Sequence, residues 1–568
     1  MPLLFVMVLL IVALLPTFPF GSDEGDNILG AFSVLNGGDV YRTFYSQHMP
    51  FGYYFTALLA LCGAESVPQF RIAYAVFLAL FWAWLCWSYA RRIPAAMLIF
   101  LLLAFPLSAP FFLGHVILAD NLSSLALLTL LLELIVYDGA EGLKPARGAV
   151  ISLAAFVAIT SCFLSVYPVF AFIAGLILLD LRRSGWRLKY TGVVAGGDDP
   201  GPASARPATI VSCRRPNLFP FRQYILLAAM MTFPFAVLIG WYALTGNLGR
   251  FYFQAYEFNR TVYAKYVWGG NQPALLTAFF MLPLVWIQHA ILAMKTALQT
   301  LTLPLDLLLA FANLGFIIFI RRGLFFSVVL FFFLVLTGTR SFGGFGYTGF
   351  HSAPYFMVSL VSLGWLIALL CPPAPAESPK EYSHLDKTRW RSWLRRVSQR
   401  LHRPRRLKML TAAGLLVLFL LAAAPGYLRA ILPVYGRLAR SEHRGGLEQF
   451  FATPYDREIK ALTRPGDRIW SAGINGYIYI NNRCLPAGRI PGLVPWFVES
   501  YTDEIIADLD KNKPRVVIFP AEGAVWGHAL KDFGRPIFSY IQAHYHPLDA
   551  NAPVKKDIYV LNDQPSAM

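Results

Sequence analysis

Two adjacent carboxylates, Asp23 and Glu24, stand in Gly21-Ser22-Asp23-Glu24-Gly25-Asp26, directly after the first apolar stretch of the chain. At a membrane surface such a pair can take the proton of an acceptor hydroxyl, provided that it stays hydrated or faces a cation. The same residues also suit the start of a helix, where Ser and Asp are ordinary caps. A third carboxylate, Asp120, lies in His115-Val116-Ile117-Leu118-Ala119-Asp120-Asn121, at the edge of another apolar run. An ionisable group there is costly unless paired or wet, so it marks a functional position. The plainer alternative is a cap for a helix over 121–137.

Positive charge comes from other segments. His48 stands in Gln47-His48-Met49-Pro50-Phe51-Gly52-Tyr53-Tyr54, Arg340 in Thr339-Arg340-Ser341, and His351 in Phe350-His351-Ser352. Arginine matches the fork of phosphate oxygens, and Arg340 and His351 fall where an anionic lipid phosphate would meet the outer leaflet. The competing reading for each is an interfacial anchor that snorkels to water. For Arg260 and Lys265, in Tyr256–Tyr266, the anchor is the better reading.

These residues need a scaffold, and the composition says which kind. Of 568 residues, 57% are hydrophobic and only 14% are charged, against about 25% charged in an ordinary soluble protein. A spanning helix takes about 20 apolar residues. Candidate spans fall at 3–20, 67–90, 94–112, 117–137, 149–165, 166–181, 223–245, 301–320, 324–338, 351–371 and 409–425. The pair over 149–181 can also be read as one helix bent at Pro168. Two further apolar stretches, 51–63 and 274–294, would reverse every later loop if counted as spans, and are expected as interfacial or re-entrant helices on the outer face.

The net charge of +17 is concentrated in two blocks. Residues 182–222 carry eight Lys/Arg against two Asp, and 372–408 carry eleven against three Asp/Glu. Both sit between apolar runs, as inside loops facing an anionic leaflet do. Nucleic-acid binding is therefore not expected. Eleven spans with the N-terminus inside put 21–50, 113–118, 246–273, 339–350 and everything after about 430 on the outside. The first stretch has no basic residues ahead of it and a poor cleavage site, so it reads as a retained span. The six cysteines form no CxxC pair and have no histidine at zinc spacing, so neither disulfide nor structural zinc is expected. No ligand cluster demands a divalent metal, although the carboxylates can bind one in principle.

The tail changes character. Arg468–Ser471, Arg515–Phe519 and Ile558–Leu561 read as short buried strands, with an amphipathic helix over 502–512 ending at Lys513-Pro514. The alternation suggests a small parallel sheet. The chain thus divides into a membrane domain, 1–428, and an extracytoplasmic α/β domain, 429–568.

The order of a span, Asp-Glu, and then His48-Met49-Pro50-Phe51-Gly52-Tyr53-Tyr54 entering an apolar stretch resembles GT-C glycosyltransferases. The likeness is to the protein O-mannosyltransferase and aminoarabinose-transferase type, family 39-like. The Asp120 segment is similar to their second acidic motif and Phe350–Tyr355 to their late His/Arg-Tyr loop. Pro465–Trp470 resembles the tails of many members. Met49 replaces their usual first proline, and His48 stands where the aminoarabinose-transferase type has lysine. The resemblance implies a polytopic α-helical GT-C-like fold of about eleven spans plus outer interfacial helices. It also implies a polyprenyl-phosphate sugar donor, no cofactor, and an unknown glycan, lipid or protein acceptor. Transfer would occur with inversion on the outer face of a bacterial inner membrane. Asp23 or Glu24 would be the base, and Asp120 would orient the acceptor or steady charge on the sugar. His48, Arg340 and His351 would hold the donor phosphate, and His115 and Tyr53 would support the acceptor side. A transporter or lipid flippase is the rival reading; it would place charges at the bilayer midplane or show an internal repeat.

Overall fold

The computed structural model describes residues 2–137, 143–183, 221–268, 304–320, 324–338, 349–371, 405–440, 446–525 and 527–562, with single positions between 284 and 299. Among the described residues, seven helices are long and apolar enough to cross a membrane. Four of them are α4 (Val67–Tyr89), α5 (Ala95–Phe112), α6 (Ala119–Val136) and α9 (Phe221–Leu244). The others fall over Phe163–Arg182, Phe350–Leu370 and Leu407–Ala439. Shorter apolar helices are α1 (Pro2–Leu14), α3 (Phe51–Leu61), α7 (Pro145–Ser161), Leu305–Phe319 and Leu324–Thr337. Most of 274–294 and both basic blocks lie outside the described residues.

The stretch 149–181 is two helices. Helix α7 ends at Ser161, Cys162 is extended (φ −141°, ψ 112°), a 3-10 turn follows, and α8 runs Val166–Arg183. The break thus falls at Cys162, not at Pro168. Proline near the start of a helix has no intrahelical N–H to lose, so α8 accommodates Pro168.

Helix α6 is the central element, buried along almost its whole length. It packs on α7, α8 and the helix Ala353–Leu370. Its 18 residues span about 27 Å at 1.5 Å per residue. Its ends carry its only two acids, Asp120 in the first turn and Glu133 in the last. At the far end from Asp120, Glu133 accepts from Tyr89 OH at 2.7 Å and from Arg147 Nε at 2.7 Å.

The first apolar stretch stops being helical at Leu14, well before residue 20. Pro16 and Pro19 cannot continue the ladder, and Phe18 takes a positive φ of 48°. The carbonyls freed by this turn go to one side chain. Arg71, buried in α4, donates to the Leu15, Thr17 and Phe18 carbonyls. It also clasps Glu24 with Nε at 3.0 Å from Oε1 and Nη2 at 2.7 Å from Oε2, both side chains being fully buried.

The tail folds on a five-stranded sheet of order β2-β1-β3-β7-β6. The strands are β1 (Arg468–Ser471), β2 (Leu485–Pro486), β3 (Val516–Ile518), β6 (Tyr545–Pro547) and β7 (Ile558–Leu561). A two-stranded hairpin, β4 (Ala524–Val525) and β5 (His528–Ala529), stands apart. Strand β1 runs parallel to β2 and to β3, in register Trp470↔Val517. Strand β7 runs antiparallel to both β3 and β6, so the sheet is mixed rather than parallel. Alternation of strand and helix stops after the helix Arg535–His544, where β6 leads through a loop and a 3-10 turn (Lys555–Asp557) back into β7. The last long helix, Arg405–Ala439, carries straight past residue 428 into the tail.

Removing one partner of a buried ion pair leaves the other charge without compensation, at about 3–5 kcal/mol. Arg71→Ala in detergent-purified protein should therefore lower the thermal midpoint strongly or abolish monodisperse protein. A midpoint equal to wild type would show that the pair does not hold the turn between α1 and the helix Asp23–Leu35.

Candidate active site

The first loop folds into α2 (Asp23–Leu35), a turn over 39–46, and then α3. Asp23 is the first helical residue, not the cap; Ser22 occupies that position and makes no side-chain capping bond. Three acids in the first turn of α2, Asp23, Glu24 and Asp26, are favoured there by the helix dipole. Asp120 likewise is the second residue of α6, with Leu118 at the cap position. Capping therefore accounts for neither acid.

Asn27, one turn after Asp23, donates from Nδ2 to the Ile117 carbonyl at 3.1 Å. This bond draws α2 against the start of α6. Gly52 permits the approach of α3: a Cβ there would lie 2.9 Å from Asn27 Oδ1 and 3.8 Å from Ala119 Cβ. The starts of α2 and α6 and the loop leading into α3 converge on a small open cleft lined by Asp23, Asn27, His48, Leu118, Ala119 and Asp120. His351, from the turn Gly349–Ser352, adds a ring whose Nδ1 lies 3.5 Å from Asp120 Oδ2. Two carboxylates and two imidazoles from four segments thus gather at the end of the bundle that carries the tail. Among the described residues no group of three or more His, Cys, Asp or Glu is placed to hold a metal ion.

His48 is held through its backbone. Its carbonyl accepts from Tyr41 OH at 2.7 Å and its N–H donates to Ser46 Oγ at 2.9 Å. Ser46 Oγ meets Tyr53 OH at 2.6 Å, and Tyr53 OH donates to Asp26 Oδ2 at 2.5 Å. Burial pushes the Asp26 carboxyl up to about 7; the Tyr53 bond opposes the rise and the neighbouring charge of Asp23 adds to it. Tyr53 is thus a buried brace between Asp26 and the His48 loop, and it is not among the cleft-lining residues.

Two other residues expected at the chemistry stand elsewhere. Glu24 is absent from the cleft lining, and both its oxygens are taken, by Arg71 and by a short bond from Tyr477 OH of the tail. An acid so engaged cannot serve as a base without breaking the buried pair. His115 is buried, with Nε2 3.1 Å from Thr17 Oγ1. Burial and the nearby Arg71 charge hold its pKa well below the usual histidine value, so it stays neutral and pins the α1–α2 turn to the α5–α6 loop. Arg340 lies outside the described residues. Arg260 and Lys265 are exposed, paired with Glu257 and with Glu499 of the tail at 3.0 Å each.

No protein-family model matches this sequence, and no curated protein matches it. Solved structures do. A crystal structure of ArnT from Cupriavidus metallidurans bound to undecaprenyl phosphate superposes with a TM-score of 0.53 and 14% identity, over 99% of this chain and 98% of that one. The chain shares the fold of ArnT. The apo form of ArnT gives a TM-score of 0.50, again at 14% identity, over 98% and 97% of the two chains. The aligned stretch runs over the tail as well as the helices. The ArnT fold is also the fold that the acidic first loop implied.

Arg71, Asn27 and Asp26 escaped the sequence reading. An arginine inside an apolar span was a visible signal for the first, by the same argument that singled out Asp120. Folded Asp26 keeps its proton to about 7, against 3.8 for an ordinary aspartate. Between those values the native state binds more protons than the unfolded one. Stability therefore falls as pH rises through this window and levels off above about 7. Asp26→Asn should flatten the dependence, so the difference in thermal midpoint between about pH 5 and about pH 8 shrinks relative to wild type. An unchanged difference would place the titration elsewhere.

Proposed function

We propose that this protein is a membrane glycosyltransferase that moves a sugar from a polyprenyl-phosphate donor to an acceptor hydroxyl at the tail-bearing face of the membrane. The observation that carries the reading is the convergence of Asp23, Asp120 and His48 on one cleft, with His351 beside Asp120. The ArnT fold supports it, because the ArnT structure holds undecaprenyl phosphate, a polyprenyl phosphate.

In this reading Asp23 takes the proton of the acceptor hydroxyl. The acceptor oxygen forms a bond to the anomeric carbon while the bond from that carbon to the lipid phosphate oxygen breaks, with inversion. The electron pair leaves on the phosphate. A glycosidase needs a second carboxyl to protonate its leaving group. A phosphate leaves as a stable anion, so cations can take that place. His48 and His351 stand in the cleft region for this role, and Arg340 is assigned to it by its position in the sequence. Asp120, beside His351, orients the acceptor or steadies positive charge on the sugar ring. The face is read as extracytoplasmic because the two basic blocks of the sequence mark the opposite, inner side. The transporter alternative gains nothing from the charge pattern. Asp120 and Glu133 sit at the two ends of α6, about 20 Å apart along its axis, not at its middle.

A membrane assay with radiolabelled polyprenyl-phosphate sugar tests the reading. Asp23→Asn should lower transfer by about 10²–10⁴-fold, the range of general-base catalysis, with expression and folding intact. Wild-type transfer by Asp23→Asn would remove the base.

A further inference from the structure

The tail grips both ends of the loop that carries Asp23 and His48, and each grip is specific. The first is at the loop's start. The Gly476 N–H donates to the Gly21 carbonyl at 2.7 Å, and the Gly25 and Gly476 backbones touch. A Cβ on Gly476 would lie 2.5 Å from the Gly25 carbonyl carbon, and one on Gly25 would lie 3.0 Å from Gly476 Cα. Tyr477 OH donates to Glu24 and accepts from the Phe20 N–H at 3.1 Å. The residue between Glu24 and Ser22 is Asp23 itself. The second grip is at the loop's other end. The Tyr45 N–H donates to the Arg489 carbonyl at 2.9 Å, and the Tyr45 ring lies 4.7 Å from Phe497 and 4.9 Å from Tyr501. Trp496 Nε1 donates to Gln47 Oε1 at 3.1 Å, one residue before His48.

We propose that the tail is a positioning element of the transferase site, with Gly476 and Tyr477 setting the first turn of α2, and so Asp23, and Trp496 setting His48. The inference rests on the transferase reading above. It gives the tail a role in the chemistry without placing any tail atom against substrate. Backbone contact is what makes the first grip rigid: a side chain can swing away from an added methyl group, whereas two main chains cannot. Misplacing a reacting group by about 1 Å can cost about 10²-fold in rate, and a Cβ on Gly476 requires a shift of that order.

The two grips predict different kinetic signatures, which general destabilisation would not produce. Full-length protein in nanodiscs is assayed for transfer with varied donor. Gly476→Ala should lower kcat by about 100-fold, leaving the donor KM within about twofold. Tyr477→Phe, which removes one hydroxyl and adds no bulk, should lower kcat by about tenfold in the same way. Trp496→Phe should raise the donor KM about fivefold, the worth of one lost hydrogen bond, with kcat near wild type. Ile541→Val, in the tail core on the helix Arg535–His544 and part of neither grip, is the control for lost stability and should leave both constants unchanged. The proposal is overturned if Tyr477→Phe keeps wild-type kcat, or if both grips alter kcat and KM alike. It is also overturned if Ile541→Val reproduces the losses at an equal drop in thermal midpoint. A wild type that transfers nothing sinks the transferase reading itself. An active wild type with fully active Gly476→Ala and Tyr477→Phe sinks only the positioning role.

Discussion

One buried ion pair organises the functional end of this molecule. Arg71 and Glu24 are both without solvent exposure, and the guanidinium spends its remaining donors on three carbonyls of the broken end of α1. A charge in that position is tolerable only with every donor satisfied. The requirement fixes three things together: where α1 stops, which way the chain turns, and where α2 begins. Because Asp23 adjoins Glu24, the placement of the cleft acid follows from the pair. A Phe451 ring 4.7 Å from the guanidinium carbon covers the pair from the tail side.

Around that fixed point the site is assembled from helix starts. The starts of α2 and α6, the loop leading into α3 and the turn before Ala353–Leu370 each deliver one or two polar groups, while most of the remainder of each helix is apolar. This arrangement suits a reaction at a membrane boundary: the polar groups can be hydrated while the helices below remain in hydrocarbon. The segment after α9 reinforces it with side-chain amides. Asn247 donates to the Val40 carbonyl at 2.8 Å, Gln254 to the Tyr41 carbonyl at 2.8 Å, and Asn259 to the Gln47 carbonyl at 2.7 Å. Gln254 and Asn259 lie in π-helical turns, a distortion found often at functional sites.

Much of this is legible in the residues. Apolar run lengths locate α4, α5 and α6 closely, and the strands around Trp470, Val517 and Tyr559 follow from short β-branched runs between turn residues. Asp23, His48 and Asp120 stand out because charge at the border of an apolar run needs a reason. What is not legible depends on distant partners. Glu24 and Asp23 are neighbours of the same charge type, and only Arg71 and Tyr477, far along the chain, separate their roles. His115 looks like a candidate by type, yet a hydroxyl from Thr17 makes it part of the frame. The mixed sheet is hidden for a similar reason, since β7 could join β3 in either direction until β6 fixes the return.

The bond from Tyr477 to Glu24 joins residues 453 positions apart. During synthesis at about 5–20 residues per second, the carboxylate waits on the order of 20–90 s for its last donor. Arg71 leaves the ribosome within seconds of Glu24, so the pair can neutralise itself as the first helices enter the bilayer. The nascent protein therefore passes through a stage with its membrane frame set and its acidic loop still unclasped. The loop is clasped only when the tail has folded down onto it.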